Sequence, residues 1–201
     1  MKKISASFYL QENVVAAAQQ LLGKLLVTRF AEGTTIGRIV ETEAYNGITD
    51  KASHAYNNRR TNRTEVMFAK GGVAYVYLCY GIHHLFNVVT NHKNIPHAIL
   101  IRGIEPVTGI SIMQQRMHKK VADYSIGRGP GNVSRALGLH TRHSGTSLLK
   151  NTIYLAEDNF KTEAASIVSS PRIGVGYAAE DALLPYRFYI KNNRYVSGKN
   201  T

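Results

Sequence analysis

A single cysteine, Cys79, is all the thiol in this 201-residue chain, so no internal disulfide can form and no cysteine pair is available to zinc. No run approaches the ~18 apolar residues of a membrane-spanning helix, and the opening MKKISASFYLQENVV has no apolar stretch of the kind a secretory signal carries. The expected location is therefore the cytoplasm. The eight histidines include no HExxH, and the adjacent His83 and His84 would face opposite sides of a strand, so no metal is expected. There is no glycine-rich nucleotide-cofactor loop, which speaks against a small-molecule transferase and for a protein without a cofactor. Internal repeats and low-complexity linkers are also missing. Acid is scarce: 13 Asp and Glu stand against 25 Lys and Arg, a formal charge of +12. Such an imbalance favours a polyanionic partner, nucleic acid first and an acidic membrane surface second.

What remains is a globular composition, 44% hydrophobic and 19% charged. A chain of this length suits one domain, here residues 1–201, able to bury roughly 70% of its extended surface. Val14, Ala17, Ala18, Leu21 and Leu22 recur at helical spacing, with Asn13 as cap and Gly23 as stop. Alternation predicts strands near 24–29, 36–43, 73–79, 84–90 and 97–104, then near 152–156, 171–176 and 186–191. Glu105 and Pro106 read as the start of a helix carrying Val107, Ile110, Met113 and Met117 on one face and ending in the basic run Arg116 to Lys120. A shorter helix is predicted over about 130–138. Strands that mostly follow one another, with a few helices between them, indicate an α+β fold with a largely antiparallel sheet.

The segment GRIVETEAY, Gly37 to Tyr45, concentrates the chemistry. Period two places Ile39, Glu41, Glu43 and Tyr45 on one face. Two carboxylates beside a tyrosine on a basic protein suggest a pocket, the bland alternative being that both glutamates pair with arginines. In YVYLCY, Tyr75 and Tyr77 share a face, Tyr75 reading as a core ring, and Tyr80 falls at a hairpin end where Gly81 permits a tight turn. An exposed aromatic there is a candidate wedge between stacked bases. His54 follows shortly after Glu43 and Tyr45 and reads as a loop histidine able to fold back over them. Two basic segments are candidates for phosphate contact: YNNRRTNRT with Arg59, Arg60 and Arg63, and GRGPGN with Arg128, a glycine-rich turn feeding a helix N-terminus.

These segments, in order, resemble the alkyladenine (3-methyladenine) DNA glycosylases. GRIVETEAY, DKASHAY, MFAKGGVAYVYLCYGIHHLFNVVT, AILIRGIEP, GRGPGNVSRALGL, PRIGVGYA and RFYI carry the resemblance from about Leu21 to Val196. It implies one mixed α/β domain with a curved antiparallel sheet. It also implies that Glu43 activates the attacking water in the company of Arg102. Tyr45, His54 and Tyr77 would wall the pocket for an extruded base, Asn87 would disfavour purines bearing a 2-amino group, and Tyr80 would enter the minor groove and fill the gap. The implied partner is double-stranded DNA with damaged purines, met by a monomer in the cytoplasm at the nucleoid.

A damaged base inside a duplex is out of reach, so it must be flipped at a cost of a few kcal/mol. A carboxylate beside C1′ then both stabilises positive charge on the sugar and takes a proton from water. Purines alkylated at N3 or N7 leave readily, whereas hypoxanthine needs protonation as it departs. Lys70 is the only lysine in the central matching block and has no implied role, so the expected product is an abasic site in an intact strand. The competing reading is a non-catalytic nucleic-acid-binding module, which would have no use for a buried carboxylate in an aromatic cleft. Met117 to Tyr124 and Asn159 to Ser169 carry no motif.

Overall fold

The computed structural model describes residues 1–198. The alternating segments become β1 (Lys2–Lys3), β2 (Leu25–Phe30), β3 (Gly33–Tyr45), β4 (Val73–Cys79), β5 (His83–Thr90), β6 (His97–Thr108), β7 (Ile153–Glu157), β8 (Ile167–Ser170) and β9 (Arg187–Ile190). All join one curled sheet in the order β1-β7-β2-β3-β6-β5-β4, with β9 pairing both β3 and β8. Each of these pairings is antiparallel. The helices are α1 (Val14–Gln20), α2 (Ile110–Met117) and α3 (Pro130–Leu137), so the architecture is the α+β arrangement that the alternation indicated. No helix among the described residues is long and apolar enough to cross a membrane.

The sheet separates two packed layers, and the period of two decides which residue joins which. Ala74 and Val76 of β4, Phe86 and Val88 of β5, and Ile99 and Ile101 of β6 face the helices and share one core with α1 and α3. Tyr75, Val89 and Ala98 point the other way, under the long connection between β3 and β4, and meet its Ala55, Met67 and Phe68. The helical layer starts with Asn13, whose Oδ1 accepts a hydrogen bond from Ala16 N at 2.9 Å. Val14, Ala17, Ala18, Leu21 and Leu22 are all buried, the larger of them contributing about 1.5–3 kcal/mol each. Regular helix ends at Gln20, and Gly23 reverses the chain at φ +82°.

β3 positions the site. Its first half pairs with β2 from Phe30↔Gly33 to Leu25↔Arg38. Beyond that, β9 takes over the same side at Glu41, Thr42 and Glu43, while β6 runs along the other side. Register shifts against β6 accompany the hand-over, between Ile39 and Glu41 and again before Thr42. An extra residue in one strand bends it and turns its side chains. This corrects one sequence expectation: Ile39 belongs to the helical core, not to the face that carries Glu41, Glu43 and Tyr45.

Two further expectations are corrected. Glu105 and Pro106 do not open a helix, because β6 continues to Thr108 and Pro106 lies opposite Gly37, beside a further register shift between Ile36 and Gly37. Gly109, at φ +74°, ends the strand and α2 starts after it. Residues 171–176 form no strand: β8 stops at Ser170 and a 3-10 segment begins at Gly176. The Ile173 N–H that a ladder would need is instead donated to a carboxylate on β3.

Candidate active site

On the face of β3 turned away from the helices, Glu41 and Glu43 are both fully buried, at 0% exposure. The strands on either side each bring an arginine, Arg102 from β6 and Arg187 from β9. Glu41 Oε1 accepts from Arg102 Nε at 3.1 Å, Arg187 Nε at 2.7 Å and Ser197 Oγ at 2.9 Å, and its Oε2 accepts from Ser197 N at 2.7 Å. Every oxygen of Glu41 is thus engaged with charge or backbone. Arg187 also donates to the Ser197 carbonyl and lies 4.6 Å from the Tyr189 ring centre.

Glu43 is held differently. Its Oε1 accepts from the Ile173 N–H at 2.8 Å, and its Oε2 accepts from the Tyr45 hydroxyl at 2.8 Å. Arg102 Nε lies 3.3 Å from Oε1, so one guanidinium bridges the two acids. Burial alone would lower the Arg102 pKa, but the charges of Glu43 and Glu41 hold it above the ordinary arginine value. Burial, followed by the neighbouring Glu43 charge, raises the Tyr45 phenol well above its usual range, so Tyr45 stays a donor to Glu43.

Tyr45, Arg102 and Ile173, the three neighbours of Glu43, line a cleft of about 650 Å³, within the usual range for small-molecule sites. His54, Arg63, Tyr77, Tyr80 and Arg128 line it as well. A separate chamber of about 30 Å³ is lined by Tyr45, His54, Tyr75, Tyr77 and Asn87, with Tyr45, His54 and Tyr77 common to the cleft, room for a water or two but not a ring. The His54 Nδ1 shares a hydrogen bond of 2.8 Å with the Tyr75 hydroxyl, and its ring meets Tyr77 edge-on at 4.6 Å. Burial, then the charges of Arg63 and Arg59, pushes the His54 pKa down to about 4, so its imidazole is neutral near pH 7. Asn87 donates its amide to the carbonyls of Tyr75 and Leu85, leaving its side-chain oxygen as the group free for a ligand.

At the rim, Tyr80 is 88% exposed with φ +50°, and Gly81 follows at +73°. The Ile82 N–H donates to the Cys79 carbonyl at 3.1 Å, closing a turn with both central residues left-handed, the geometry a tight hairpin prefers. Left-handed backbone costs a residue with a Cβ about 1–2 kcal/mol, and an exposed ring recovers nothing by folding. Arg128 is set down by Gly127, where an added Cβ would come within 1.8 Å of the Ile104 carbonyl oxygen. Only glycine lets that loop lie flat on β6 and open α3 beside the cleft.

Of the other basic candidates, Arg59 faces an adjoining hollow with Lys51, Arg63 and Tyr177. Arg60 is not brought to the cleft: it grips Glu65 through Nε at 2.6 Å and Nη2 at 2.7 Å, with its guanidinium 4.6 Å from the Phe68 ring centre. Tyr75, read as a core ring, is in the core and also holds His54.

Several contributors escaped sequence reasoning. Buried Arg172 clasps Asp50 through two nitrogens, donates to the Ala44 carbonyl at 2.9 Å and lies 4.9 Å from the Tyr45 ring centre. That pair fixes the turn after β3 against the segment that supplies the Ile173 N–H. Tyr177, 69% exposed, lines both the cleft and the chamber and donates to the Ala52 carbonyl at 3.0 Å. The only signal for Arg172 and Tyr177, as for Arg187 above, was membership of the segments PRIGVGYA and RFYI, which spacing alone could not tie to β3.

A family model described as methylpurine-DNA glycosylase matches residues 7–194. Among the relatives, a protein of Chlamydia felis (strain Fe/C-56) is 46% identical over 185 residues, covering 92% of this chain and 94% of that protein. One of Desulfitobacterium hafniense (strain Y51) is 40% identical over 206 residues, 99% of this chain and 100% of that protein. One of Clostridium perfringens (strain 13 / Type A) is 40% identical over 205 residues, covering 98% and 100% respectively. All three carry the provisional name 3-methyladenine DNA glycosylase. The match runs through the strand bearing Glu43, the loop that caps it and the hairpin at the rim, and the chain belongs to the methylpurine-DNA glycosylase family and is a DNA N-glycosylase.

Proposed function

We propose that this glycosylase acts as a monomer on double-stranded DNA, at the nucleoid in the cytoplasm, flips damaged purines into its cleft and releases them by hydrolysis. Its substrates are 3-methyladenine, 7-methylguanine, hypoxanthine and ethenoadenine. The observation that carries this reading is the environment of Glu43, a buried carboxylate held mainly by neutral donors behind a wall of aromatic rings. An ionised carboxylate offers about four lone-pair positions. Ile173, Tyr45 and Arg102 meet three, and the remaining one on Oε2 suits a water molecule. As the glycosidic bond lengthens, the anion stabilises the sugar cation and accepts the proton of the attacking water, which adds to C1′ while the purine departs, an N3- or N7-alkylated cation as the neutral base and a neutral purine with a proton taken from solvent.

The rings of Tyr45 and Tyr77 and the neutral His54 suit an electron-poor purine, with stacking worth about 1–3 kcal/mol per base. Tyr80 fills the vacancy in the duplex, and Arg63 and Arg128, with Arg59 and Arg60 farther out, meet phosphates. Asn87 presents an acceptor rather than a donor, so its discrimination against a 2-amino group is steric. Among the described residues no lysine lines the cleft, and exposed Lys70 lies outside it, which supports hydrolysis without an imine and an abasic product in an intact strand. The test is a single-turnover assay on duplexes carrying each lesion. Wild type should release free base, and Glu43→Gln should be slower by about 10²–10⁴-fold while binding lesion DNA at least as tightly. Equal rates for the two proteins, or strand cleavage abolished by Lys70→Ala, would defeat the reading.

A further inference from the structure

A second basic depression lies across the rim hairpin from the cleft. It is a groove of about 870 Å³ between the β2–β3 turn, the end of α2 and the segment from α3 to Arg142. Cleft and groove share His83, Gly131 and Asn132, while Tyr80 lines only the cleft and Ile82 only the groove. The hairpin tip is therefore a ridge with a basic channel on each side.

Three arginines, Arg116, Arg135 and Arg142, line the groove against one carboxylate, Glu32. Arg116 is packed into its floor. Its Nη1 donates to the Ala136 carbonyl at 3.1 Å, while its Nε and Nη2 are buried with no hydrogen bond among the described residues, Glu32 lying 3.6 Å from Nη2. Room for that guanidinium comes from Gly138, where a Cβ would come within 2.8 Å of Cζ. Arg135 uses its Nε on the Arg116 carbonyl at 2.9 Å, which leaves both Nη groups for a ligand, and Arg142 is exposed at the edge. His84 accepts from the Thr141 N–H at its Nδ1, so its Nε2 is a donor. The chemistry at Glu43 uses none of these groups.

We propose that this groove seats the phosphates of the undamaged strand. The inference rests on the reading of Tyr80 as the residue that enters the duplex. The minor groove is about 6 Å wide, and a hairpin tip that enters it has one sugar-phosphate backbone on each side. The strand whose nucleotide rotates into the cleft lies on the Tyr80 side. Its partner strand then crosses Ile82 and meets a channel of donors with a net positive charge. The same lesion is consequently bound more tightly in a duplex than in a single strand, and the difference arises in this groove.

The test pairs a variant with modified DNA. Arg135→Gln/Arg142→Gln alters exposed positions, and an unchanged thermal midpoint confirms its fold. On a hypoxanthine duplex its affinity should fall about tenfold or more, and the slope of log affinity against log salt should drop by about 1–2, near 0.9 per lost phosphate contact. Its affinity for the same oligonucleotide as a single strand, and its single-turnover rate at saturating enzyme, should match wild type. Neutral methylphosphonates at consecutive sites in the undamaged strand should weaken wild type and leave the double variant unaffected. Equal losses on duplex and single strand, or methylphosphonates that matter only in the damaged strand, overturn the proposal while excision persists. A wild type that releases no base overturns it together with the reading on which it rests.

Discussion

Glu41 and Glu43 stand two residues apart on one strand, equally buried and sharing one arginine, yet their surroundings suit them to different work. Glu41 receives two guanidinium groups, a hydroxyl and a backbone N–H, and has nothing left to offer a substrate. Glu43 receives one N–H and one phenol, with the shared arginine farther off. Identity and burial alone therefore do not set what a carboxylate can do. What separates the two is whether the partners saturate the carboxylate: those of Glu41 fill it, whereas those of Glu43 leave a position open on Oε2.

The contrast is most sharply broken by exchanging the two positions in an experiment. Glu41→Gln should leave Arg102 and Arg187 short of a counter-charge in a buried site, a loss of about 3–5 kcal/mol. At roughly 2–4 °C per kcal/mol for a chain of this size, calorimetry should record a clear drop in the melting midpoint. Glu43→Gln, the variant expected to slow base release, should lower that midpoint much less. Equal midpoints for the two variants would remove the distinction.

A smaller effect is expected at the rim, where Tyr80 is neither buried nor bonded. Tyr80→Gly should weaken binding to lesion duplex by about 5- to 150-fold, the equivalent of one stacked base. The same variant should melt at or slightly above the wild-type temperature, because glycine removes the left-handed strain. Filter binding and calorimetry on one preparation would check both.

A third effect, read against pH, concerns His54. Its pKa is about 4 when folded, against an ordinary histidine value of 6.5. Between those values the unfolded chain binds a proton that the folded one refuses, so stability falls as pH drops from 6.5 toward 4 and is insensitive to this group above 6.5. In urea titrations at pH 7 and pH 4.5, His54→Phe should lose less stability than wild type. Identical losses would mean that the imidazole is not shielded by the cleft.

Much of this arrangement is legible in the residues themselves. Alternation located β4, β5 and β6, and the same period placed Glu41, Glu43 and Tyr45 on one face. Pairing with arginine, the bland alternative for both glutamates, describes Glu41 well and Glu43 only through a contact it shares. Ile39 was misread because a register shift costs a strand its parity without leaving a mark in composition. Pro106 resembled a helix start because proline is equally at home beside an irregular pairing. The 171–176 segment resembled a strand because its hydrophobic spacing says nothing about where a backbone N–H will go. Arg172 and Arg187 were invisible as site residues, since an ion pair with Asp50 or Glu41 joins positions 122 and 146 apart in the chain.

That separation has a consequence for the order of events during synthesis. Glu43 leaves the ribosome 130 residues ahead of the Ile173 amide that orients it, and Glu41 precedes Ser197 by 156. Contacts so distant in sequence form slowly. A nascent chain can begin gathering its local helix and hairpins while both acids still face water, and it becomes competent to attack a glycosidic bond only after the region around Ser197 has been made.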